Sequence, residues 1–168
     1  MDKLANHTLV ITQGYLNKDH DMAMRIRSSR LFLGSVNQGM KFMFAFKKKV
    51  EKRLIEIESP VERNDFYDLW PSTIDRVFKT RFVILNEKEI WEVDFFEESN
   101  HDSYFCMAEV ELPEGQLSPV SIPSFISDNL LYEVPVGNAG FSSRELSNHD
   151  YAELTLKRLE NGKICSKK

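Results

Sequence analysis

The sequence holds little of what usually anchors a functional reading. Its two cysteines, Cys106 and Cys165, form no motif, which leaves no basis for a disulfide framework or a Cys-based zinc site; both read as free thiols in a reducing compartment. The four histidines, His7, His20, His101 and His149, show no zinc spacing, and each reads as a surface residue. There is no glycine-rich phosphate loop, and no local context suggests a Ser/His/Asp set. No apolar run is long enough to span a bilayer, and the opening residues lack a basic, apolar and cleavage-site succession. The expectation is a soluble, cytoplasmic protein with no membrane partner. With a formal net charge of −4, the overall balance does not argue for nucleic acid or an anionic membrane.

What is present is ordinary in bulk and patterned in detail. Hydrophobic residues make up 42% and charged residues 29%, proportions of a soluble globular chain. The length of 168 residues suits one domain, 1–168, with a substantial core. Lys79-Thr80-Arg81, Trp91-Glu92-Val93-Asp94-Phe95 and Ala108-Glu109-Val110-Glu111-Leu112 each place two like charges two residues apart. In a β-strand i and i+2 share a face, so each charged pair points one way and Val93, Phe95, Val110 and Leu112 the other. Turn-like residues 86–88 and 97–102 separate the three segments, which predicts a β-meander.

Earlier segments repeat the arrangement. Leu9 to Leu16 is strand-like, and Ala23 to Ser28 sets Arg25 and Arg27 opposite Ile26. After residues 34–39, Phe42, Phe44 and Phe46 form one face, with Met43, Ala45 and Lys47 on the other. Glu56 and Glu58 alternate with Ile55 and Ile57, while Lys48 and Lys49 read as a solvated hairpin end. Ser59-Pro60-Val61-Glu62 predicts a helix start, with Ser59 as cap, Pro60 at the first position and Glu62 completing a capping box. Phe66, Leu69 and Trp70 follow at helical spacing, and Pro71 ends the run. A second short helix is expected around Ile122 to Tyr132. From Ser147 the pattern fits a helix through Leu159, but the alternation from Glu153 to Lys157 fits a strand equally.

For any single pair, a solvated sheet face is the simpler explanation. Five such pairs plus Lys47, backed by apolar faces that helices can cover, point to a sheet curled around a charged interior. A closed barrel has no exposed edges; an open sheet with one charged face in water is the alternative. Cations beside carboxylates suit a polyanion held with divalent metal.

In order and spacing, Gln13-Gly14-Tyr15-Leu16, Arg25-x-Arg27, Phe44-Ala45-Phe46-Lys47, Glu56-x-Glu58, Lys79-Thr80-Arg81, Trp91 to Phe95 and Ala108 to Leu112 resemble the CYTH proteins, the triphosphate tunnel metalloenzymes. Tyr132-Glu133-Val134 and Phe141-Ser142-Ser143 look like that family's closing segment, so the resemblance covers residues 10–146. It implies an α+β fold, an antiparallel β-barrel tunnel with helices packed outside, that takes triphosphates with Mg²⁺ or Mn²⁺. Carried over by position, Arg25, Arg27, Lys47, Arg53, Lys79 and Arg81 would grip phosphate oxygens. Glu109 and Glu111 would be the first metal ligands, with Asp94, Glu56 and Glu58 as further acidic wall residues. The implied activity is hydrolysis or cyclisation of a nucleotide, inorganic or organic triphosphate through positioning and charge neutralisation. The resemblance singles out no catalytic residue.

Two departures qualify the resemblance. The family's Arg-x-Glu-x-Glu meets Arg53-Leu54-Ile55-Glu56 here, one residue too long, so either a bulge re-aims Arg53 or Lys52 replaces it. The family's opening Glu-x-Glu-x-Lys strand has no counterpart in residues 1–8. Residues 153–157 as a permuted strand, an open barrel, or completion by a second chain in a homodimer would each accommodate this. So would loss of catalysis, leaving a module that captures a nucleotide or an RNA 5′-triphosphate, or a purely structural descendant.

Overall fold

Residues 5–19, 22–51, 53–98, 100–113, 115–116 and 118–162 are described by the computed structural model. Alternation of β-branched, aromatic and charged residues gives seven strands: β1 (His7–Tyr15), β2 (Met22–Leu33), β3 (Val36–Val50), β4 (Arg53–Pro60), β5 (Asp75–Asn86), β6 (Glu89–Glu97) and β7 (Ser103–Val110). They form one sheet in the order β4-β3-β2-β1-β5-β6-β7, antiparallel throughout. Among the described residues three α-helices, α1 (Arg63–Leu69), α2 (Ser124–Ser127) and α3 (His149–Glu160), complete an α+β architecture. No helix among the described residues is long and apolar enough to cross a membrane.

The meander of β5, β6 and β7 forms as expected; closure does not. β4 and β7 remain the two edges, so the sheet is not a barrel. Residues 153–157 supply no eighth strand, because they lie within α3. Helical geometry prevails there for local reasons. The Asn148 side chain caps the Tyr151 N–H, Glu153 and Lys157 pair at i,i+4, and Ala152 and Thr155 share the buried side.

The start of α1 also differs from expectation. Ser59 and Pro60 belong to β4, where a proline is tolerated because the strand is an edge. The helix begins at Arg63, after Glu62, and no side chain caps it. The α-helix ends at Leu69, and Trp70 to Ser72 continue as a 3-10 turn with Pro71 inside it, so the proline marks the close of the helical run as the sequence suggests.

Helices cover the two faces of the sheet unequally. On the apolar face Phe66 of α1 lies 5.2 Å from Phe42, and Trp70 lies 6.2 Å from Phe78. Ile126 of α2 packs with Ile84, Trp91 and Val93 on the same side. The third helix departs from the expected outside position. Leu146 and Ala152 pack against Tyr15, Val77, Phe96 and Phe105, closing one end of the face that carries the charges.

Gly14 shows how tightly the apolar side is built. A Cβ there would sit 2.4 Å from Thr73 Cγ2 and 2.7 Å from its Cβ. Thr73 cannot yield easily, because its hydroxyl donates to the Trp70 carbonyl at 2.7 Å and accepts from Arg76 Nε at 2.9 Å. Gly14→Ala should therefore lose about 1–3 kcal/mol in urea unfolding. An unchanged midpoint would show that the turn at Thr73 can give way.

Candidate functional site

The register gathers the charges. Tyr15, Arg25, Ala45 and Glu58 are successive partners across four strands, as are Ala23, Lys47 and Glu56 across three. Across the other half run Gln13 with Arg27 and Val77, Ile11 with Lys79 and Phe96, Leu9 with Arg81, Asp94 and Met107, and Val83 with Glu92 and Glu109. Directly paired residues share a face. Ten charged residues, Arg25, Arg27, Lys47, Glu56, Glu58, Lys79, Arg81, Glu92, Asp94 and Glu109, therefore lie on one side of the sheet.

Two expected members do not join them. Arg53 pairs with Val50 in a ladder without a bulge, which keeps it on the opposite face from Glu56 and Glu58. The alternative, Lys52, falls outside the described residues. Glu111 lies one position beyond the end of β7, so no ladder bond sets its direction. It nonetheless lines an open pocket of about 390 Å³ with Ile90, Glu92, Glu109 and Val110.

The centre of the face is a buried ion cluster. Asp94, 0% exposed, accepts from Lys79 Nζ at 2.5 Å and from Arg81 Nε and Nη2 at 2.6 and 2.7 Å. Lys79 is 3% exposed and also donates to Ser143 Oγ at 3.1 Å. Burial alone would push the Asp94 carboxyl up. The Arg81 hydrogen bonds and the charges of Lys79 and Arg81 overcome that and hold it below the usual carboxylate range. Burial lowers Lys79, and Asp94 only partly offsets it.

Toward β4 the face is basic and incompletely neutralised. Arg25 Nη2 reaches Glu58 at 3.2 Å, and Lys47 reaches Glu56 at 2.6 Å. Arg27 has no carboxylate partner among the described residues; its Nε donates to Gln13 Oε1 at 2.9 Å. The Gln13 amide is fixed in turn by donating to the Tyr15 hydroxyl at 3.0 Å. Burial, then the neighbouring guanidinium groups of Arg25 and Arg81, push Arg27 down to about 10. That leaves it charged at neutral pH, with the more distant Glu58 offsetting only part of the effect. Arg25 adds a buried Nε with no hydrogen-bond partner among the described residues.

Toward β7 the face is acidic. Glu92 and Glu109 stand directly opposite each other on β6 and β7. Arg81 lies between them, with Nη1 donating to Glu92 and Nη2 at 3.6 Å from Glu109. Burial and the charge of Asp94 raise the Glu109 carboxyl, against the pull of Lys79 and Arg81.

Among the described residues no three His, Cys, Asp or Glu side chains converge on one point. Of the expected ligands, Asp94 has both oxygens engaged, while Glu56 and Glu58 are paired to Lys47 and Arg25. Glu109, 3.6 Å from Arg81, and Glu111, which lines the same pocket, are the expected ligands left least engaged, whereas Glu92 is bonded to Arg81 Nη1. One or two carboxylates suit a hard cation that shares its shell with phosphate, not a closed protein cage.

Residues that sequence reasoning did not assign to the site are Gln13, Tyr15, Ser143 and Arg144. Gln13 carried a signal, a lone amide among the strand's alternate residues Leu9, Ile11 and Tyr15. Arg144 carried none, since its partners are distant in sequence. Its Nε bonds Asp75 Oδ2 at 2.8 Å, Nη2 the Asn17 carbonyl at 2.6 Å and Nη1 the Asp19 carbonyl at 3.2 Å, with its guanidinium 5.2 Å over the Tyr15 ring. Compared with known proteins, the chain matches no family model and no curated sequence.

Proposed function

We propose that this protein binds a triphosphate-bearing ligand, a nucleotide, an inorganic or organic triphosphate or an RNA 5′ end, on the charged face of its sheet. The observation that carries the reading is Arg27, half-buried beside Arg25 and Arg81 with no carboxylate in ion-pair contact among the described residues. A multiply charged anion supplies the missing counter-charge and the acceptors for guanidinium donors left over. Arg25 and Arg27 make the leading contacts, with Arg81 and Lys47 behind them. Lys79 sets the potential from below, since Asp94 and Ser143 occupy its ammonium group. Glu109 with Glu111 would hold Mg²⁺ or Mn²⁺, which when bound neutralises charge on the phosphate oxygens. The CYTH-type tunnel belongs to the same proposal, with its wall completed by a further strand or a second copy. So does a reducing cytoplasmic setting, in keeping with the unpaired Cys106.

A second reading, hydrolysis or cyclisation of the bound triphosphate, is favoured by the acidic Glu92/Glu109 end lying on the same face as the basic pair. One experiment separates the two. Calorimetric titration with tripolyphosphate, ATP and 5′-triphosphorylated RNA, in chelator and then in Mg²⁺, is expected to give binding that orthophosphate does not match. Phosphate or pyrophosphate release in the same samples would report turnover. If none of these compounds gives heat or raises the melting temperature, the proposal fails.

A further inference from the structure

We infer that Glu92 is a built-in competitor for the anion site: it occupies the one displaceable arm of Arg81 and is exchanged for ligand on binding. The inference rests on the anion-binding reading of the charged face. Two nitrogens of the Arg81 guanidinium are fixed, Nε to Asp94 Oδ1 at 2.6 Å and Nη2 to Asp94 Oδ2 at 2.7 Å. Parallel bonds of this kind are strong and directional. Asp94 is itself immobile, fully buried and bonded to Lys79. The guanidinium cannot swing away, so only Nη1 is free to choose a partner, and it donates to Glu92.

Glu92 is held far less firmly. Its side chain is 36% exposed against 13% for Arg81, and it has no other hydrogen bond or ion pair among the described residues. It also faces Glu109 directly across the ladder, where like charges repel. Arg81 thus has a permanent acid on its buried side and a loosely held one on its open side. An incoming phosphate oxygen accepts the same N–H, and the half-exposed carboxylate turns into solvent.

Glu92→Gln keeps the shape of the side chain and weakens its hold on Arg81. Titrated calorimetrically with tripolyphosphate in chelator, the full chain carrying E92Q should bind on the order of tenfold tighter than wild type, the difference between an ion-paired hydrogen bond and one from the same cation to a neutral amide. Glu109→Gln is the control, because it removes a nearby charge that is not bonded to Nη1. Exchange predicts a clearly larger gain from E92Q than from E109Q. Equal gains, or no gain from E92Q, overturn the inference while leaving the anion-binding reading intact. No binding by wild type or E92Q overturns both. Thermal melts of each variant confirm that folded protein is compared.

Discussion

Asp94→Ala is expected to remove about 3–5 kcal/mol of folding stability, because it leaves two buried cations without their shared anion. Lys79 and Arg81 sit on neighbouring positions of one strand face, and Asp94 bonds both at 2.5–2.7 Å. By comparison, the exposed Glu153–Lys157 pair should contribute well under about 1 kcal/mol. Urea unfolding of the two variants side by side measures the contrast, and a loss for Asp94→Ala below about 1 kcal/mol would refute the account. The acid limb provides a second readout. The folded Asp94 carboxyl is held below its usual range, so the unfolded chain takes up the proton first. Its contribution is therefore fully present above about pH 4, the unfolded value, and is lost as pH falls through the lower folded value. Asp94→Asn should flatten that part of the stability profile.

Arg25→Met with Arg27→Met should behave in the opposite way, abolishing ligand binding with little effect on the fold. Each hydrogen bond from a charged donor contributes about 1.5–3 kcal/mol, so losing both arginines should weaken tripolyphosphate binding by about a hundredfold or more. Stability has two opposing terms. Removing Arg27 relieves a half-buried cation crowded by other guanidinium groups, but it also leaves the Gln13 carbonyl oxygen without its donor. The Arg25–Glu58 pair is partly exposed and adds little. A net stability change within about 1 kcal/mol is expected, since an orphaned buried acceptor costs about as much as the relieved strain returns. A loss of stability matching that of Asp94→Ala would instead make these arginines part of the framework.

The alternation in the sequence was enough to place the charged residues on one side, because strand periodicity acts locally and a one-residue slip would turn each set over. That is why Arg25, Arg27, Lys79, Arg81, Asp94 and Glu109 meet as their spacing suggests, and why Arg53, one residue out of phase, does not. Pairing within that face was less legible. Nothing in the sequence shows that Asp94 would be bound by both Lys79 and Arg81 while Glu109 stays weakly engaged. Those roles follow from depth, which the C-terminal segment sets through Ser143 and Leu146. Sheet closure depends on pairing between β4 and β7, residues far apart in the chain, and the alternation is the same whether that pairing exists or not. The tail was ambiguous for the opposite reason, since period two and period 3.6 both fit a five-residue run and only the Asn148 cap and the packing of Ala152 decide.

The Arg144 clamp bears on how the protein matures as it is synthesised. All seven strands leave the ribosome before residues 138–147, yet those residues cover the ammonium group of Lys79 and tie the β1–β2 connection to the start of β5. Until they arrive, the ion cluster is open to water and its charges are weakly coupled. A nascent chain can assemble its strands early, but the cover over the Lys79 end of the cluster forms only when this late, long-range contact closes.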